Sequence, residues 1–195
     1  MGVDFNDPLT LAAYIISIVG FIILTLASAC KRKNMILAFQ SASNVLVGLS
    51  EGLIGAWSGL AQDAINLLRN IFVLKKWMTK ALSIVFIILC AVVGGIVFYI
   101  DYDKYGLWCL FPAIATLQYS IIILIPNVKV PVIKLSIMIS STLWAIYGVA
   151  IKLYTTTIFN GISFILCVVS LIFYFVKNKN KIEENKEVTS EVTEE

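Results

Sequence analysis

Histidine is absent from all 195 residues, and charge is scarce, with Asp, Glu, Lys and Arg together making up 14%. The first absence removes His-ligated metal sites, the HExxH zinc motif, and Ser-His or Cys-His nucleophile pairs. No GxxxxGK[ST] loop and no GxGxxG stretch offers a phosphate cradle. The four cysteines, Cys30, Cys90, Cys109 and Cys167, stand singly in or beside apolar runs without CxxC spacing. They read as small buried hydrophobes. The expectation is therefore no enzyme, no metal and no cofactor.

What fills the chain instead is apolar: 59% of residues, with a mean hydropathy of +0.92. A soluble domain carries about 45–50% apolar and about 25% charged residues. Both departures point to an integral membrane protein. A spanning helix needs about 20 mostly apolar residues, and seven such runs are predicted: 9–29, 34–56, 58–75, 80–100, 107–126, 131–151 and 154–176. The third is the weakest, because it contains Gln62, Asp63, Asn66 and Arg69. The first run is too long for a secretory signal, and its basic cluster, Lys31-Arg32-Lys33, follows the apolar stretch rather than preceding it.

Lys and Arg mark the cytoplasmic side of a membrane protein. With seven spans and the N-terminus outside, the inner segments hold Lys31, Arg32, Lys33, Lys75, Lys76, Lys80, Lys129, Lys134 and the tail lysines. The outer segments hold only Lys104 and Lys152, beside Asp4, Asp7, Asp101 and Asp103. This bias sets the expected topology: multi-pass in a bacterial inner membrane, N-terminus outside, C-terminus cytoplasmic. The inner lysines imply contact with anionic lipid rather than nucleic acid. Residues 177–195 are charged with almost no apolar residue, which predicts a disordered cytoplasmic tail.

Spans 1–3 and 5–7 read as two copies of a three-helix unit. In each, the third helix carries an Asn near its middle, Asn66 and Asn160, and ends in a basic residue, Lys75 and Lys177. Span 4 is nearly free of polar atoms, as suits a lipid-facing connector. An odd connector gives both triplets one orientation, a parallel repeat about an axis along the membrane normal. The expected organisation is 1–78 as the first bundle, 79–106 as the linker helix, 107–176 as the second bundle and 177–195 as the tail. Gly48-x-x-x-Gly52 and Gly55-x-x-x-Gly59 read as sites of close helix packing.

Polar residues inside a spanning helix normally face the bundle or a wet cavity. In span 3, Gln62, Asn66, Arg69 and Asn70 fall on one stripe, with Asp63 one position round. Span 2 adds Gln40, Ser43, Asn44, Ser50 and Glu51; spans 5–7 add Gln118, Tyr119, Ser140, Ser141, Thr142, Trp144, Tyr147, Asn160 and Ser163. The stripe is either interhelical glue or the wall of a solvated cavity. Glu51 and Asp63, expected at similar depth, either hold a proton or cation between them or leave Glu51 solvated at the outer headgroups. Trp57, Trp77 and Trp108 fall at predicted helix ends, in the aromatic belts. Trp144 lies well inside, as core packing or as a platform for a solute.

These residues carry a resemblance. Ala64-Ile-Asn66-Leu-Leu-Arg69-Asn70, Ser141-Thr-Leu-Trp144 and Thr157-Ile-Phe-Asn-Gly161 resemble the YgjV family of small bacterial inner-membrane proteins, over roughly residues 9–178. Trp144, 16 positions before Asn160, is similar to the Trp/Asn substrate pair of the SWEET and SemiSWEET transporters. The resemblance implies the MtN3-like fold and alternating access for a small polar solute between two triplets. The chain departs from it in its prolines: only Pro112 is expected mid-helix, and Pro131 starts span 6. Ser50, not Trp, stands 16 before Asn66. Asp63 and Arg69 suit a zwitterionic or anionic solute better than a sugar.

The sequence thus predicts an all-α, seven-helix, 3+1+3 membrane protein that moves a small polar metabolite (sugar-like, nucleoside, vitamin or amino-acid-like). Asn66, Asn160 and Trp144 are expected at the site, with Asp63, Gln62, Arg69, Asn44 and Gln118 lining the path. A non-transporting sensor or accessory subunit is the alternative, and the oligomeric state stays open.

Overall fold

Asp7 caps the first helix, α1 (Pro8–Ala29). Its carboxylate accepts from the Leu9 and Thr10 N–H groups and from the Thr10 hydroxyl. Those bonds, the Thr10 hydroxyl foremost, hold the Asp7 carboxyl below its usual range. Pro8 sits in the first turn, where no N–H is needed. The computed structural model describes residues 7–192, with side chains to 176; Asp4 and the side chains of the tail lysines lie outside the described residues. The remaining elements are α2 (Lys33–Leu53), α3 (Trp57–Leu74), α4 (Lys80–Tyr105), a 3₁₀ turn (Gly106–Leu110), α5 (Phe111–Leu124), α6 (Val130–Ala150) and α7 (Tyr154–Val192). Every regular element among the described residues is helical.

Among the described residues, four stretches are long and apolar enough to cross a membrane: Pro8–Ala29, Lys80–Leu124, Val130–Ala150 and Tyr154–Val176. Helices α2 and α3 fall short on apolarity because both turn polar side chains inward. Ser43, Ser50 and Glu51 of α2 and Gln62, Arg69 and Asn70 of α3 are almost fully buried. The outward faces of both helices carry apolar residues such as Val45, Leu49 and Leu68.

Two expectations change at helix ends. Pro112 lies in the first turn of α5 rather than mid-helix, because Gly106, at φ +61°, and the 3₁₀ turn after it break the apolar run beforehand. The backbone of α7 continues to Val192, through most of the stretch that composition assigns to a disordered tail. Prolonging a formed helix needs no new nucleus, and Lys and Glu are good helix formers.

Helix α1 packs on α2 and α2 on α3; α5 packs on α6 and α6 on α7. The two sets meet where α1 touches α7 and α3 touches α5. Helix α4 packs on α3 and α5, and its other face exposes Ile84, Val85, Ile88, Val92 and Ile96. The α2–α3 and α6–α7 connections match: Ile54-Gly55-Ala56 and Ile151-Lys152-Leu153 each put the middle residue in the left-handed region, at φ +68° and +61°, and bury the third completely. Gly55 therefore serves the turn, and the helix-packing role expected of it does not arise.

Close approach of α4 and α5 depends on Gly94. A Cβ there would meet the Ala113 Cβ at 2.6 Å, whereas one on Gly95 would meet nothing within 4 Å. Gly94→Ala is expected to destabilise by about 1–3 kcal/mol. Gly95→Ala should be neutral or stabilising, by up to about 1 kcal/mol. Thermal unfolding of the two variants in detergent checks this opposition of sign.

Candidate functional site

Between the two three-helix sets lies a cavity of ≈ 70 Å³. At about 10–15 Å³ per water, it holds on the order of five to seven water-sized groups. Most of its lining falls into pairs at constant separations along the chain. From α2 and α6 come Gln40 with Ile137, Ser43 with Ser140, Asn44 with Ser141, and Val47 with Trp144; from α3 and α7 come Asp63 with Asn160 and Asn66 with Ser163. The matched three-residue connections fix this spacing. Helices α1 and α5 add Phe21 with Thr116 and Leu24 with Tyr119, at a second constant separation. Asn160 is therefore in register with Asp63, not with Asn66 as the Asn-to-Asn reading expects. Val47, not Ser50, occupies the position matching Trp144.

The same register explains a swap in packing. Glu51 of α2 lies against Gly59 of α3, where a Cβ would come within 2.0 Å of Oε2. At the matching point of the other set, Gly148 of α6 faces Thr156 of α7, 2.8 Å from a built Cβ. In each set one partner is glycine, and the larger residue has changed helix.

The polar walls are only partly satisfied. The Asn66 Nδ2 donates to the Thr116 hydroxyl at 3.2 Å, the Asn160 Nδ2 to the Thr156 carbonyl at 2.8 Å, and the Tyr119 hydroxyl to Gln40 Oε1 at 2.8 Å. Buried without any hydrogen-bond partner are Asp63 Oδ2, Asn66 Oδ1, Asn70 Nδ2 and Ser163 Oγ, each on a residue that lines the cavity. Arg69 is 1% exposed. Its Nε and Nη2 donate to Asn70 Oδ1 at 3.2 and 2.9 Å, its Nη1 donates to Ser120, and its Cζ lies 4.9 Å from the Tyr119 ring centroid.

Apolar clusters adjoin the cavity through Tyr119 and Ile137 on one side and Trp144 on the other. Ile36, Leu37, Ile123, Ile133 and Cys167 belong to the first; Ala56, Tyr147, Ile151 and Leu153 belong to the second. Beside the first, Lys33 of α2 donates to the Ile123 carbonyl of α5, and Lys134 of α6 donates to the Ser28 carbonyl of α1, both at 2.9 Å. Each lysine caps the last turn of a helix in the other set, where a cation is favoured.

Of the residues expected at the site, Asn66, Asn160, Trp144, Asp63, Arg69 and Asn44 line the cavity. Gln62 does not: it is fully buried, with its Nε2 within 3.4 Å of a Cβ built on Gly94 of α4. One residue from Asp63 is a 100° turn, and α3 is enclosed by α2, α4 and α5, so polar side chains on its several faces are all buried. Gln118 is also elsewhere, joining α5 to α6: its Nε2 donates to the Ser136 carbonyl and its Oε1 accepts from the Ser136 hydroxyl. Glu51 is fully buried with both carboxylate oxygens unpartnered, which overturns the reading of a solvated headgroup residue. Asn70, Thr116 and Tyr119 join the lining; the last two stand three apart on α5, a one-face spacing.

Among the described residues there is no cluster of potential metal ligands. No curated protein and no solved structure matches the chain. A family model described as bacterial inner membrane protein matches residues 11–180, which take in α2 through α6 whole and most of α1. The chain belongs to the Imp-YgjV family of bacterial inner membrane proteins.

Proposed function

We propose that this inner-membrane protein is a transporter or facilitator for a small polar metabolite, held in the cavity between two parallel three-helix repeats. In this reading all seven helices span, α4 links the repeats, the N-terminus is outside and the C-terminus is cytoplasmic. Asn66, Asn160, Trp144, Asp63, Arg69 and Asn44 contact the solute, and the inner lysines meet anionic lipid.

The observation that carries the reading is a polar cavity between the two helix sets, with register-paired walls and an apolar cluster adjoining it on either side. Interhelical glue would satisfy its own polar atoms, and these walls leave several unsatisfied. The contacts repeat as well: α1 on α7 matches α5 on α3, and the two lysine clasps connect corresponding helices. Parallel repeats of this kind are an established transporter architecture, with the site near the midplane at the repeat interface. Opening one apolar cluster at a time gives alternating access.

Proteoliposomes test the proposal by osmotic light scattering with glycerol-sized and larger polar solutes. The intact protein is expected to raise flux above that of protein-free liposomes. Asn160→Ala, which removes one hydrogen-bonding group from the wall, is expected to lower it by about tenfold, the kinetic equivalent of about 1.4 kcal/mol. Flux equal to that of protein-free liposomes for every solute would overturn the proposal in favour of a sensor or accessory subunit.

A further inference from the structure

The repeat makes one departure from symmetry conspicuous. The register that pairs Asp63 with Asn160 sets Arg69 opposite Leu166 and Asn70 opposite Cys167. The second set therefore packs with apolar residues where the first holds a guanidinium and an amide. Scaffold packing does not require either group.

Arg69 is buried in the bundle without an acid. Among the described residues no carboxylate lies within ion-pair distance, and hydrogen bonds occupy three of its five N–H donors. Asn70 Oδ1 accepts from Arg69, which fixes the orientation of that amide, and its Nδ2 is left buried without a partner. One end of the cavity is thus a group of unused donors with a positive charge. One to two helical turns along α3, Asp63 Oδ2 and Asn66 Oδ1 are buried oxygens without a partner. Buried charges are stable when paired, so a solute with an anionic end for Arg69 and a cationic end that holds the Asp63 carboxylate ionised completes both groups.

We infer that the solute is a small zwitterion, with its carboxylate on Arg69 and Asn70 and its ammonium group on Asp63 and Asn66. A cavity of ≈ 70 Å³ suits a solute of about five to seven non-hydrogen atoms, by the volume per water-sized group. This rests on the transport reading and names its substrate class. β-Alanine, with six non-hydrogen atoms and charged ends, has the required form.

The test is uptake of radiolabelled β-alanine, lactate and erythritol into proteoliposomes of the full-length protein. β-Alanine uptake is expected at least tenfold above the other two. Arg69→Gln and Asp63→Asn are each expected to lose at least tenfold of it, with Arg69→Lys retaining more than Arg69→Gln. Asp63→Asn copies the Asn160 side chain of the other repeat, so it keeps the assay informative if Arg69→Gln misfolds. Erythritol uptake equal to that of β-alanine and indifferent to both variants would overturn the zwitterion and leave transport standing. Lactate uptake without β-alanine uptake would also overturn it, because the Asp63 end would then be idle. Transport of no solute, here and in the osmotic assay, would overturn both readings.

Discussion

Ser163→Phe is expected to reduce solute flux to the leak of protein-free liposomes, and Ser43→Phe to do the same from the opposite wall. Both serines are 1% exposed and line the cavity, Ser43 from α2 and Ser163 from α7. A benzyl group at either position takes up space comparable to a cavity of ≈ 70 Å³. Overpacking costs about 1–3 kcal/mol, which thermal unfolding in detergent measures separately. The hydroxyl of Ser163 has no hydrogen-bond partner, so its removal adds no further penalty. Ser163→Ala is the matched control, and its flux should stay within a few-fold of the parent. If the phenylalanine variants fold and still conduct, the solute does not pass through this cavity.

The second large effect is on stability, and its sign is favourable. Glu51→Met is expected to raise Tm. The carboxylate is fully buried, neither oxygen has a partner, and it does not line the cavity. Leaving such a group unpaired costs about 1–3 kcal/mol in proteins. Methionine is unbranched and of similar length, so it occupies the groove over Gly59 without a Cβ clash. Where α6 packs on α7 in the same way, Gly148 faces Thr156, so helix packing of this kind does not call for an acid. For a chain of this length the gain corresponds to several degrees. A lower Tm for the variant would show that the carboxylate is engaged by a partner in the folded protein.

Much of this is legible in the sequence, for identifiable reasons. Helix boundaries follow from apolar runs that end at Pro, Gly and Lys, which is why the predicted 34–56 and the observed Lys33–Leu53 nearly coincide. The burial of Arg69 and Asn66 follows from the cost of exposing them to lipid. Other features depend on rotation about a helix axis, which composition does not encode. Gln62 and Asp63 are adjacent and equally polar, yet they sit on different faces, toward α4 and toward the cavity.

The pairing of the cavity walls is likewise hidden, because Asn66 and Asn160 match by residue type but not by place. The signal that fixes it is the pair of connections, Ile54-Gly55-Ala56 and Ile151-Lys152-Leu153. Their backbone likeness is invisible when the central residues are Gly and Lys. The environment of Glu51 depends on a glycine eight positions later, a contact that only the α2–α3 packing reveals.

The account turns on whether the cavity opens to both sides of the membrane, and one cysteine answers that without knowledge of the solute. Ser141, which lines the cavity from α6, becomes Cys in a background where Cys30, Cys90, Cys109 and Cys167 are Ala. A membrane-impermeant methanethiosulfonate reagent is then applied to right-side-out and to inside-out vesicles. The account predicts modification from each side, slowed by any solute that binds. Modification from neither side, in a protein that retains the parent Tm, would contradict it and make the polar cavity a closed structural core.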